Sequence, residues 1–240
     1  MCWYGDTPPT FTSAPGLKLP FPPDPARTRG HAPMTPSLDY AKARETMVEQ
    51  QVRPWDVLDM RVLDVLASVP REAFFAETHR ALAYADIELP IGEGERSWKP
   101  VIDGRALQAL LPQAGDAVLE IGTGSGYLTA CFGRLAREVT SLERHAGLAD
   151  AARSRIDATG FGQNIAIETA DAFAWNSDRR YDVVCVGGAV DAIPERFLQW
   201  LNPNGRMFVV RGRSPAMEAV RVDARNGVDE QRIQSLFETE

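Results

Sequence analysis

The segment Val118-Leu-Glu-Ile-Gly-Thr-Gly-Ser-Gly-Tyr127 constrains this chain more than any other. An apolar run of strand length, residues 117–121, gives way to glycines at 122, 124 and 126, and a helical pattern resumes over 127–136. A strand that turns through glycines into a helix brings main-chain N–H groups to one point, where a ligand can rest against the helix N-terminus. The rest of the second half repeats the alternation. Residues 139–142, 165–168, 183–186 and 206–210 read as strands and 147–158 as a helix, which predicts an α/β domain with a doubly wound, mainly parallel sheet. Two final strands, 217–224 and 232–238, flank Asn226-Gly227, the dipeptide of a tight antiparallel hairpin.

The first half is helical. Residues 37–52 carry Leu38, Ala41, Met47 and Val48 near helical spacing behind Ser37 as a cap. Residues 58–68 offer one apolar face and stop at Pro70. Short helices near 74–81 and over 102–111 follow, separated by LPIGEGERSWKP, whose glycines and prolines argue for an irregular loop. Residues 1–33 hold eight of the 17 prolines and no hydrophobic periodicity. They predict a disordered arm, either a natural tail or sequence upstream of a start at Met34. The domain then runs over 34–240, with a helical cap and substrate loop at 34–111 and a ligand-binding core at 112–240.

Composition narrows the function. With 26 Lys+Arg against 33 Asp+Glu the net charge is −7, which argues against a nucleic-acid or anionic-membrane binder. No apolar run reaches the roughly 18 to 20 residues that span a bilayer, and the N-terminus lacks the form of a secretory signal. Cys2, Cys131 and Cys185 are too few and too scattered for a disulfide framework or a zinc site. A monomer in the reducing cytoplasm, without a metal, is the expectation.

A dinucleotide fingerprint would require glycine at 127, where this chain has tyrosine, so NAD is disfavoured. The G-x-G-x-G spacing, with Glu120 on the strand before it, resembles motif I of S-adenosylmethionine-dependent methyltransferases. That resemblance implies that Gly122, Thr123, Gly124, Gly126 and Tyr127 surround the methionine part of the cofactor. Glu143 lies 21 residues after Gly122 at the end of the next strand, where a carboxylate binds ribose hydroxyls in folds of this kind. By the same resemblance Asp171, in ETADAF, lies near the adenine amino group.

With that core assigned, the first half becomes readable. Met47-Val-Glu-Gln-Gln-Val-Arg53, Val69-Pro-Arg-Glu-Ala-Phe74, Ala83-Tyr-Ala-Asp86 and Leu89-Pro-Ile-Gly-Glu-Gly94, taken with VLEIGTGSGYL, resemble the protein-L-isoaspartate O-methyltransferases over about residues 38–237. The resemblance implies a Rossmann-like class I methyltransferase fold. It also implies methyl transfer from S-adenosylmethionine to the free carboxylate of isoaspartyl residues in damaged protein, with Pro90, Ile91, Gly92 and Gly94 in the substrate loop. A carboxylate of pKa about 4 is already ionised at neutral pH, so the reaction needs no general base.

One departure stands out. The family continues this loop as T-I-S-x-P, with its serine close to the reacting methyl. Here Trp98 takes the serine position and Ser97 comes one residue early. In an extended segment that shift points a side chain to the opposite side, so Ser97 serves only if the loop is rearranged. Trp98 either covers apolar surface or walls the active site, where it would exclude an isoaspartyl peptide and redirect the enzyme to another acceptor. A methyltransferase of a different acceptor and a catalytically silent binding protein are the alternatives.

Overall fold

Asp39 opens the first helix: its carboxylate accepts from the Lys42 N–H at 3.0 Å, satisfying an end group the helix leaves unpaired. Helix α1 (Tyr40–Thr46) continues into a π-helical stretch, Met47–Val52. The computed structural model describes residues 38–225 and 230–239, so the arm expected at 1–33, the Ser37 cap and the Asn226-Gly227 turn lie outside the described residues. Asp59 caps α2 (Met60–Ser68) in the same way as Asp39, which moves its start two residues beyond the expected Leu58. Between Arg71 and Leu82 the expected short helix is two tight 3₁₀ turns, Arg71–Phe74 and Glu77–Leu82.

The segment expected to be irregular contains a small antiparallel hairpin, β1 (Pro90–Gly92) with β2 (Glu95–Arg96). Its glycines make the turn: Gly92 and Gly94 take φ of +113° and +80°, values a side chain rarely allows. Helix α3 (Pro100–Leu110) then begins on a proline, whose missing N–H costs nothing at that position.

The core alternates as expected: β3 (Ala117–Ile121), α4 (Tyr127–Leu135), β4 (Glu138–Glu143), α5 (Ala146–Thr159), β5 (Ile165–Thr169), β6 (Tyr181–Val190), a short α6 (Glu195–Gln199) and β7 (Leu201–Arg213). The hairpin strands are β8 (Ala216–Arg225) and β9 (Glu230–Thr239). Together the strands form a seven-stranded sheet in the order β5-β4-β3-β6-β7-β8-β9. Its first five members pair in parallel and the last two antiparallel.

Both faces of the sheet's centre are covered, so β3, β6 and β7 are apolar on both sides there. Val118, Val183, Cys185 and Phe208 pack on one side with Leu66, Leu107 and Phe132, while Leu119, Val184, Met207 and Val209 pack on the other with Phe197 and Trp200. Burying each large side chain contributes about 1.5 to 3 kcal/mol. Cys131 and Cys185 are free, buried thiols in this core. Because β3 is flanked by β4 on one side and β6 on the other, chain direction diverges at its C-terminal end, which opens a crevice there.

Candidate active site

The glycine loop fills that crevice. Gly122 and Thr123 both donate their N–H to the Leu142 carbonyl, at 2.7 and 3.2 Å, and so tie the loop to β4. Two glycines are required by close approach. A Cβ on Gly124 would stand 3.2 Å from Ile91 Cδ1, and one on Gly126 3.1 Å from the Ala152 methyl. Gly124 thus lets the β1–β2 hairpin close down on the loop. Gly126 faces α5 and serves the packing of loop on helix.

Glu143 ends β4 and is 5% exposed. One carboxylate oxygen accepts from Gly124 N–H at 2.9 Å and the other from His145 N–H at 3.0 Å. Asp171 lies two residues beyond the end of β5, where Oδ1 accepts from the Phe173 N–H at 2.9 Å. Gly122, Gly124, Glu143, Asp171 and Ile91 line a single cleft of about 370 Å³. Pro90, Gly92 and Gly94 shape the hairpin without lining that cleft.

Glu120, Thr123 and Tyr127 border an adjoining chamber of about 60 Å³, together with Ser97 and Trp98. Glu120 is 1% exposed; its Oε2 accepts from Thr129 Oγ1 at 2.5 Å and Ser141 Oγ at 2.6 Å. Thr123 and Ser141 hydroxyls stand 2.6 Å apart, so a carboxyl, three hydroxyls and the glycine loop form one connected network. Burial pushes the Glu120 carboxyl up to about 8, against the pull of the Ser141 and Thr129 hydrogen bonds.

Ser97 and Trp98 follow strand β2, which ends at Arg96, and both residues line the same chamber. Ser97 Oγ accepts from Leu89 N–H at 3.1 Å, which leaves its own proton free to donate. Trp98 is half-buried and also walls an outer groove of about 830 Å³, shared with Trp55, Lys99, Met217 and Phe237. Arg96 and Lys99 border that groove, whereas Arg53 is engaged with Glu49 at 2.7 Å. His145 stands at the N-terminus of α5, facing Glu93 and Glu95.

Two features escaped the sequence. Phe173 is 58% exposed at the wall of the large cleft and is backed by Phe197, with ring centroids 5.4 Å apart. Arg71 and Asp103 form a buried ion pair at the chamber. Asp103 reads in sequence as an ordinary first-turn acid; only its place among Pro100, Ala106 and Leu107 on the inner face of α3 marks it.

The profile of the protein-L-isoaspartate(D-aspartate) O-methyltransferase family matches residues 42–236, spanning the helical cap, the hairpin and the sheet. This chain belongs to that family. A protein-L-isoaspartate O-methyltransferase of Methylorubrum extorquens (strain PA1) is 37% identical over 190 residues, 79% of this chain and 83% of its own length. One from Koribacter versatilis (strain Ellin345) is 38% identical over 184 residues, 76% and 82% of the two chains. A Plasmodium falciparum structure of this class, solved with S-adenosyl-L-homocysteine, shares the fold. Its TM-score is 0.72 at 18% identity, over 85% of this chain and 97% of its own. Membership thus rests on sequence relatives, and the parallel sheet with its antiparallel end is the class I methyltransferase fold.

Proposed function

We propose that this protein transfers a methyl group from S-adenosylmethionine to the free carboxylate of isoaspartyl residues in damaged proteins. The observation that carries the reading is a juxtaposition: the family match covers both the β1–β2 hairpin and the glycine loop, and Ile91 meets Gly124 where the two touch. The cleft has the chemistry a nucleoside with an amino-acid tail needs, with an acid at each of two strand ends and the glycine loop between them. Bound there, the cofactor supplies an electrophilic methyl on a positively charged sulfur.

The residues divide the work. Glu143 holds the ribose end and Asp171 the base, with Phe173 as an apolar wall beside it. The Gly122–Gly126 loop, including Thr123, meets the amino-acid end, with Glu120 and Tyr127 behind it. Ser97 presents its hydroxyl proton toward an acceptor carboxylate, while Arg96 and Lys99 attract that anion along the groove. Alignment and exclusion of water, rather than proton transfer, are what the site contributes.

No helix among the described residues is long and apolar enough to cross a membrane. The net charge of −7 supports our reading that the partners are damaged proteins rather than nucleic acid or an anionic membrane, and we read the protein as a cytoplasmic monomer. The deciding experiment is transfer of labelled methyl to an isoaspartyl peptide, with the matched aspartyl peptide as control. Transfer to the isoaspartyl peptide alone is expected. Cofactor binding without transfer would favour the second reading, a different acceptor, for which the bulk of Trp98 in the chamber wall is the specific reason.

A further inference from the structure

Arg71 is the only buried cation among the described residues, at 1% exposure. Its guanidinium is directed three ways. Nε donates to the Ala83 carbonyl at 2.9 Å, one terminal nitrogen to the Asp103 carboxylate, and the other to the Trp98 carbonyl at 2.6 Å. The group also lies over the Tyr127 ring, 4.6 Å from its centroid. These contacts belong to four separate parts of the fold: the helical cap, α3, the loop after β2, and the first residue of α4, directly behind the glycine loop.

A buried ion pair is a weak source of stability, because an apolar pair of similar volume does as well or better. Its strength is geometric, since a planar guanidinium fixes several acceptors at set angles in a way an ammonium does not. Arg71 and Asp103 stand at the chamber where the acceptor side of the site meets the glycine loop. We propose that Arg71, oriented by Asp103, is a positioning residue: it fixes the Ser97–Trp98 segment relative to the Gly122–Gly126 loop and so sets the alignment of acceptor and methyl donor. The inference rests on the methyltransferase reading above.

The pair carries a signature of its own. Burial pushes the Asp103 carboxyl up to about 6, with Arg71 opposing. The groups that face it are Arg71, Glu120 on β3, Tyr127 and Cys131 on α4, and Cys185 on β6. Burial pushes the Tyr127, Cys131 and Cys185 groups upward and holds them neutral, and Glu120 changes charge only near 8. A fall in turnover as pH drops through about 6 that is absent from Asp103→Asn reports Asp103.

The test uses the full chain with Arg71→Lys and Asp103→Asn. Calorimetry with S-adenosylhomocysteine, kcat and KM for an isoaspartyl peptide across pH, and hydrogen exchange of residues 89–99 are measured on each. Cofactor affinity is expected within about threefold of the parent and kcat lowered at least about tenfold, the scale of a small misalignment. Faster exchange confined to 89–99 is expected in both, with the limb near pH 6 absent from Asp103→Asn. Unchanged kcat in folded Arg71→Lys, or a loss of turnover matched by an equal loss of cofactor affinity, would overturn the proposal. If the parent methylates no acceptor, the methyltransferase reading is what fails; exchange at 89–99 unchanged by either substitution then overturns the positioning role separately.

Discussion

Trp98 stands edge-on to Phe208 of β7, with ring centroids 5.7 Å apart and planes at 72°. The contact fixes the indole against the sheet, in a residue that lines both the inner chamber and the outer groove. Replacing Trp98 with serine opens that wall. Transfer to an isoaspartyl peptide is expected to rise, while loss of the aromatic contact and of buried area costs about 1 to 3 kcal/mol of stability. Parallel kcat/KM and denaturant measurements check both halves. A folded Trp98→Ser with no gain in transfer removes the idea that the indole restricts the acceptor.

Glu120 makes stability depend on pH. Its carboxyl is raised from 4.5 to about 8, so between those values the folded chain holds a proton that the unfolded chain has released. Stability from this group is therefore highest at the acid end and falls as pH rises toward 8, with no further fall above it. Urea unfolding at pH 6 and pH 8.5 is expected to differ by roughly 2 kcal/mol on this account. Glu120→Gln keeps an acceptor for Thr129 and Ser141 but does not titrate, so the gap should shrink.

The two cleft carboxylates are expected to act on affinity. Glu143→Ala and Asp171→Ala should each weaken S-adenosylhomocysteine binding by about 10- to 100-fold, the range for a charge-assisted hydrogen bond. Calorimetry on both variants decides this, and unchanged binding in both would remove the cofactor assignment. Glu143→Gln should lose less, because one amide oxygen still accepts from Gly124 or His145.

Phe173 gives a narrower expectation. Its ring is largely exposed, so Phe173→Ala should leave the melting temperature nearly unchanged. Adenosine and S-adenosylhomocysteine should both bind about three- to tenfold more weakly, as fits the loss of one aromatic contact and its area. An effect on S-adenosylhomocysteine alone would place the ring away from the base.

Much of this architecture is local and therefore legible. The strand, glycine loop and helix of residues 117–136 depend on neighbours in sequence: apolar residues for the strand, and glycines where φ is positive. Local conflict explains the misplaced pieces. Gly92 and Gly94 read as breakers, yet their positive φ values, with that of Glu93 between them, are what close the β1–β2 hairpin. The apolar residues near 74–81 suggested one helix, but tertiary burial of Phe74 and Phe75 is satisfied by two short turns.

The sequence by itself determined the α/β order, the glycine loop and the carboxylates at the ends of neighbouring strands, because each follows from short-range spacing that a parallel sheet converts into a common edge. Only the tertiary structure decided what surrounds them. Arg71 reaches Asp103 and Trp98 across 32 and 27 residues, and Phe208 meets Trp98 from the far end of the chain. No periodicity encodes such meetings, since they depend on how helices and sheet pack. Burial then changes the chemistry of the groups it encloses, raising the Glu120 and Asp103 carboxyls above their values in water.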